Sequence, residues 1–109
     1  MFQKLFNWFK RVFLREKPFK YNFTQDVPDD FRQSVVYIVG EKGFYWQLVM
    51  LCPCGCGAIL YMNLLEEEFP SWSFTINDKK ELSIHPSINR FVGCKSHFFL
   101  RQGRVVWAK

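Results

Sequence analysis

Apolar residues at the start of the chain recur with the period of a helix. Phe2, Leu5, Phe6, Phe9, Val12 and Phe13 follow an i, i+3, i+4, i+7 spacing, and Gln3, Lys4, Asn7, Lys10, Arg11 and Arg15 fill the other face. Trp8 and Leu14 break the clean division. Lys17-Pro18 closes the segment, because the residue before a proline is steered away from the α region. Residues 1–17 are therefore predicted to form a basic amphipathic helix. Three uses of it stay open: packing on its own domain, lying on an anionic membrane surface, or docking on a partner.

Beyond Pro18 the pattern changes. Residues 18–33 read as a connector, with Tyr21 and Phe23 pinning it to the core and Val27-Pro28-Asp29-Asp30 making a turn. Val35 to Val39 is a β-branched run ending at Gly40, and Phe44 to Leu51 is a second strand. That strand runs into Cys52-Pro53-Cys54-Gly55-Cys56-Gly57, and Ala58 to Leu64 returns as a third. Trp72–Ile76 and Glu81–His85 form a further hairpin about Asn77-Asp78-Lys79-Lys80, after which His85-Pro86-Ser87-Ile88 leaves the sheet. The last hairpin joins His97–Arg101 to Arg104–Trp107 through Gln102-Gly103, a two-residue turn suited to type I′ geometry. The expected fold is mainly β, a small antiparallel domain of six or seven strands over residues 18–109, behind the helix of residues 1–17.

Composition and charge narrow the function. A 109-residue chain that is 49% hydrophobic and 19% aromatic has the makings of one folded core but little surplus, so a staple is expected. The net charge of +5 comes entirely from residues 1–20, and the rest of the chain balances to zero. The body therefore gives no reason to expect nucleic-acid binding. No secretory signal and no membrane-spanning run is present, and clustered cysteines fit a reducing compartment, so a cytoplasmic, at most membrane-peripheral, protein is expected.

The staple has candidate ligands. Cys52, Cys54 and Cys56 alternate in a tight turn, which disfavours disulfides among them and favours convergence on one metal ion. Zinc takes four thiolate or imidazole ligands in a tetrahedron, and Cys52, Cys54, Cys56, Cys94 and His97 are five candidates. His97 is either a ligand or a group held beside the metal. In the second case it is free to act as a base toward Ser87, whose position after Pro86 presents its hydroxyl on a rigid backbone. No H-E-x-x-H pattern, phosphate loop or dinucleotide fingerprint is present.

Taken in order, Val27-Pro28-Asp29-Asp30, Cys52-Pro53-Cys54-Gly55-Cys56-Gly57, His85-Pro86-Ser87-Ile88, Cys94-Lys95-Ser96-His97-Phe98 and Gly103-Arg104-Val105-Val106-Trp107 resemble a small bacterial domain-of-unknown-function family. Its members are encoded beside ubiquitin-like conjugation genes, for E1-like, E2-like and ubiquitin-like proteins. The resemblance spans about residues 27–108 and implies a serine-type peptidase that trims or removes a ubiquitin-like protein. By position it implies Ser87 and His97 for chemistry, and Cys52, Cys54, Cys56 and Cys94 for zinc. The competing expectation is a zinc-stabilised β module without activity that binds a protein partner or a membrane surface.

Overall fold

A computed structural model describes residues 18–90 and 93–108. The helix expected over residues 1–17 lies outside them. The described chain forms eight strands: β1 Lys20–Thr24, β2 Val35–Glu41, β3 Phe44–Leu51, β4 Ile59–Asn63, β5 Ser73–Ile76, β6 Leu82–Asn89, β7 His97–Arg101 and β8 Arg104–Trp107. They make two four-stranded sheets, in the orders β1-β2-β3-β4 and β5-β6-β7-β8. Every pairing is antiparallel except β1 with β2.

One core joins the sheets. Val36, Ile38, Leu48, Met50, Leu60 and Met62 from the first meet Leu82, Ile84, Ile88, Phe98 and Leu100 from the second, all buried in a single cluster. The inward residues alternate along β4 and β7, as a sheet with one covered face requires. β2 differs: Val36 to Val39 is buried without a break. Its second face is covered because Tyr37 and Val39 pack with Val49, Trp46 and Phe31 in a separate cluster. That double burial is why Val35–Val39 reads as a continuous apolar run rather than an alternating one.

Two expectations are corrected here. Residues 20–24 are not connector but β1, which lies parallel to β2 with Tyr21 against the core. The segment is short and holds only two large apolar residues, so its pairing rests on a neighbour that local pattern does not reveal. The second correction concerns β6, which does not leave the sheet at Pro86. It continues to Asn89 through an irregularity in which four steps from Ile84 to Ile88 face two steps from Leu100 to Phe98. The His85–Pro86 peptide bond is cis. Proline has no N–H for the ladder, so it is accommodated where pairing is interrupted. Ile84 and Ile88 both remain in the core, and the bulged residues between them are displaced from regular register.

The register also shifts between Val39 and Gly40. A Cβ at Gly40 would lie 2.5 Å from Phe44 O and 2.5 Å from Tyr45 Cα, both backbone atoms that side-chain motion cannot move. Gly40→Ala is expected to cost about 1–3 kcal/mol of stability through overpacking, measured by urea unfolding; an unchanged midpoint would mean that β3 yields there without penalty.

Candidate active site and metal centre

The cysteine turn is the connection between β3 and β4. Cys52 N–H donates to Ala58 O at 2.8 Å, and Gly55 N–H donates to Cys52 O at 3.2 Å. Gly55 and Gly57 take φ of 89° and 84°, left-handed values that let the chain reverse within a few residues. Cys94 arrives from the connection between β6 and β7. The four Sγ atoms of Cys52, Cys54, Cys56 and Cys94 lie within 4.8 Å of one another, and all four are free cysteines.

The donor set fits a metal. A tetrahedral thiolate site with zinc–sulfur bonds near 2.3 Å separates its sulfurs by about 3.8 Å. Cys52 Sγ is 3.3 Å from Cys54 Sγ and 3.6 Å from Cys94 Sγ. Two further side chains support the cluster. Ser96 Oγ is 3.0 Å from Cys94 Sγ and 3.7 Å from Cys52 Sγ. Its hydrogen bond, with smaller help from Cys54 and Cys52, holds the Cys94 thiol pKa at about 6, so the ligating thiolate is favoured. Arg90 Nη1 donates to Cys94 Sγ at 3.1 Å and to Cys56 Sγ at 3.5 Å. The nearby sulfurs, Cys52 foremost, raise the guanidinium pKa still further, so a fixed positive charge faces the thiolates.

His97 stands apart from the sulfurs. Its Nε2 is 2.9 Å from Ser87 Oγ. The displaced residues of β6 place Ser87 near the start of β7, where His97 pairs with Asn89. The backbone on both sides is fixed. Trp72 Nε1–H donates to Ser87 O at 3.2 Å, Arg90 N–H donates to Ser96 O at 2.8 Å, and Ala108 N–H donates to His97 O at 2.9 Å. The imidazole packs against the Phe99 ring at 5.9 Å between centroids, and Arg101 covers that ring at 4.3 Å. No carboxylate among the described residues hydrogen-bonds to His97. Asp78 sits in the β5–β6 turn, at the end of β6 remote from Ser87.

A cavity of about 560 Å³ is lined by Tyr45, Leu64, Glu66, Phe74, Trp72, whose indole donates to Ser87 O, and the His85–Pro86 step that precedes Ser87, among others. It is within the range typical of ligand pockets. A scan against protein-family models matches residues 23–108 to BubE, described as the bacterial ubiquitination-like system serine protease. The chain belongs to this family. No curated protein and no solved structure matches it. The family match agrees with the resemblance carried by the Cys-Pro-Cys-Gly-Cys-Gly, His-Pro-Ser-Ile and Cys-x-Ser-His segments.

Sequence reasoning had singled out Ser87, His97 and the four cysteines. Two supports went unnoticed. Arg90 stands four residues before Cys94, a cation near a cysteine that was available as a signal. Trp72 gave none, since its bond to Ser87 O crosses between segments that only the fold brings together.

One divalent metal ion per chain is expected by elemental analysis, and Cys56→Ser should lose it. Arg90→Gln should release the ion roughly tenfold faster or more to a chromophoric chelator, as outer-shell changes commonly do. A fully folded chain with no stoichiometric metal would remove the staple from the account.

Proposed function

We propose that the chain is a serine peptidase that cleaves after the C-terminal glycine of a ubiquitin-like protein, with Ser87 as nucleophile and His97 as general base. The observation that carries this reading is the 2.9 Å separation of Ser87 Oγ and His97 Nε2. Membership of a family described as serine proteases supports it independently. A non-catalytic zinc module gives no reason for a hydroxyl and an imidazole to meet on a bulged strand.

The steps follow from the two side chains. His97 Nε2 takes the Ser87 proton as Oγ adds to the scissile carbonyl carbon. Backbone N–H groups near the Ser87 bulge are suited to hold the oxyanion. Collapse of the tetrahedral species breaks the bond to the leaving group, which receives the proton from His97. Water, deprotonated by the same imidazole, then releases the acyl group from Ser87. Phe99 packing and the backbone bonds at Ser96 and His97 hold the ring, in place of a carboxylate.

The substrate tail lies in the 560 Å³ cavity, which is lined by Pro86, the residue before Ser87, and by Trp72, which is hydrogen-bonded to Ser87 O. The metal is zinc, held by Cys52, Cys54, Cys56 and Cys94; with four thiolates its site is closed and its contribution is structural. The protein works in the cytoplasm, among E1-like and E2-like partners that use the processed ubiquitin-like chain. No helix among the described residues is long and apolar enough to cross a membrane, and peripheral membrane contact is reserved to residues 1–17.

Incubation with a precursor of a ubiquitin-like protein tests the reading. Ser87→Ala should abolish cleavage, and His97→Ala should slow it by about 10²–10⁴-fold, the usual worth of a positioned general base. Undiminished cleavage by both variants would dismiss the pair.

A further inference from the structure

The outer side of the first sheet carries a second cavity, of about 510 Å³, lined by Phe44, Trp46, Gln47, Tyr61, Asn63, Leu65 and Glu68. Phe44 is 60% exposed and Tyr61 is 55% exposed. Trp46 is 6.1 Å from the Phe44 ring and packs on the apolar cluster below. Large aromatic side chains grouped at the surface on a rigid base have the composition of a binding hot spot.

This patch adjoins the 560 Å³ cavity that is lined by Pro86, the residue before Ser87. The chain leaving β4 separates the two cavities and lines both: Leu64 and Glu66 the first, Leu65 and Glu68 the second. The shared wall is fixed in place. Asn63 Oδ1 accepts from Leu65 N–H at 2.9 Å, and Asn63 Nδ2 donates to Leu65 O at 3.0 Å, Glu68 O at 3.4 Å and Pro70 O at 3.3 Å. Leu64 N–H is tied to Trp46 O at 3.1 Å. Glu66 and Glu68 bring carboxylates to the two cavities, and Glu67 lies between them.

We propose that this aromatic face seats the folded body of the same ubiquitin-like substrate whose tail enters the cleft. The inference rests on the peptidase reading. A tail held at Ser87 keeps its own domain within a few residues' reach, and the aromatic face is the apolar surface that shares a wall with the cleft. The acidic segment calls for a body with an apolar centre and a basic rim toward that wall. Recognition is then in two parts: the cleft reads the tail, and the sheet face reads the domain.

The test compares a precursor of a ubiquitin-like protein with a peptide of its tail carrying the same scissile bond, using the full chain. Phe44→Ala and Tyr61→Ala change half-open side chains, and thermal unfolding checks that the fold is retained. The ratio of kcat/KM for the precursor to that for the peptide is expected to fall roughly tenfold or more, through KM, as for aromatic hot spots. Glu68→Arg should lower the same ratio, with the larger effect at low salt. Cleavage of both substrates with an unchanged ratio in all three variants overturns this proposal and leaves the peptidase reading standing. Failure of the wild-type chain to cleave either substrate overturns both. Hydroxyl-radical footprinting of the free chain supplies a further check: Phe44 and Tyr61 already protected without substrate would mean that residues 1–17 or a second copy cover the face, which also overturns it.

Discussion

Four sulfur atoms within 4.8 Å of one another tie a turn of the first sheet to a loop of the second. The rest of the site depends on that constraint. Cys52, Cys54 and Cys56 belong to the β3–β4 connection, and Cys94 to the β6–β7 connection, so the cluster clamps the two sheets at one end of their common core. A domain this small buries too little surface to hold long connections by packing alone. A metal held by these sulfurs would close the loop between residues 52 and 94 in the folded state only, so its binding energy would become folding energy. The same clamp sets the start of β7. Ser96 reaches two of the sulfurs with its hydroxyl, and the next residue is His97. The imidazole is thus one residue removed from a group anchored to the sulfur cluster, while its own Nε2 meets Ser87 Oγ.

The opposite partner is placed by a different device. A regular β6 would keep a strict inside–outside alternation from Ile84 onward, and a proline in its middle would leave a gap in the ladder. The bulge resolves both: Ile84 and Ile88 stay inside, Pro86 sits where no N–H is demanded, and Ser87 emerges beside His97. Position comes from an irregularity in one strand and from the backbone bonds at the start of the next. Among the described residues no carboxylate aligns the ring, so the bonds at Ser87 O, Ser96 O and His97 O carry the placement of the pair.

Much of this was legible in the residues. The β2, β3, β7 and β8 segments were announced by β-branched runs, by Gly-containing turns and by the Gln102-Gly103 hairpin, in which both turn residues adopt positive φ. The cysteine turn at a hairpin tip was visible because its chemistry is local. β1 was not, because Lys20–Thr24 is defined by a parallel neighbour separated by an irregular connection. The path of β6 beyond His85 was misread for a related reason. Pro86 is a valid signal against regular pairing, and the sequence does not distinguish a strand that ends from one that bulges and resumes. The choice between His97 as ligand and His97 as base was open for the same cause, since three residues after Cys94 is close enough for either; the fold turns its Nε2 to Ser87.

Arg90 shows how the two halves of the site are bound into one unit. Four thiolates around a divalent cation carry a net charge of two minus, and an isolated excess of charge near a folded core is costly unless it is met. The guanidinium meets it through Nη1, which donates to Cys94 Sγ and Cys56 Sγ together, and it stays charged at any working pH. Its own backbone N–H holds Ser96 O, so the residue that neutralises the cluster also fixes the strand entering His97. Ser87, three positions earlier on β6, is then linked to His97 by two routes, one through the hydroxyl–imidazole bond and one through Arg90 and Ser96. The sulfur cluster and the alignment of the hydroxyl–imidazole pair thus share Arg90 and Ser96, which touch the cysteines with their side chains and each other through the backbone.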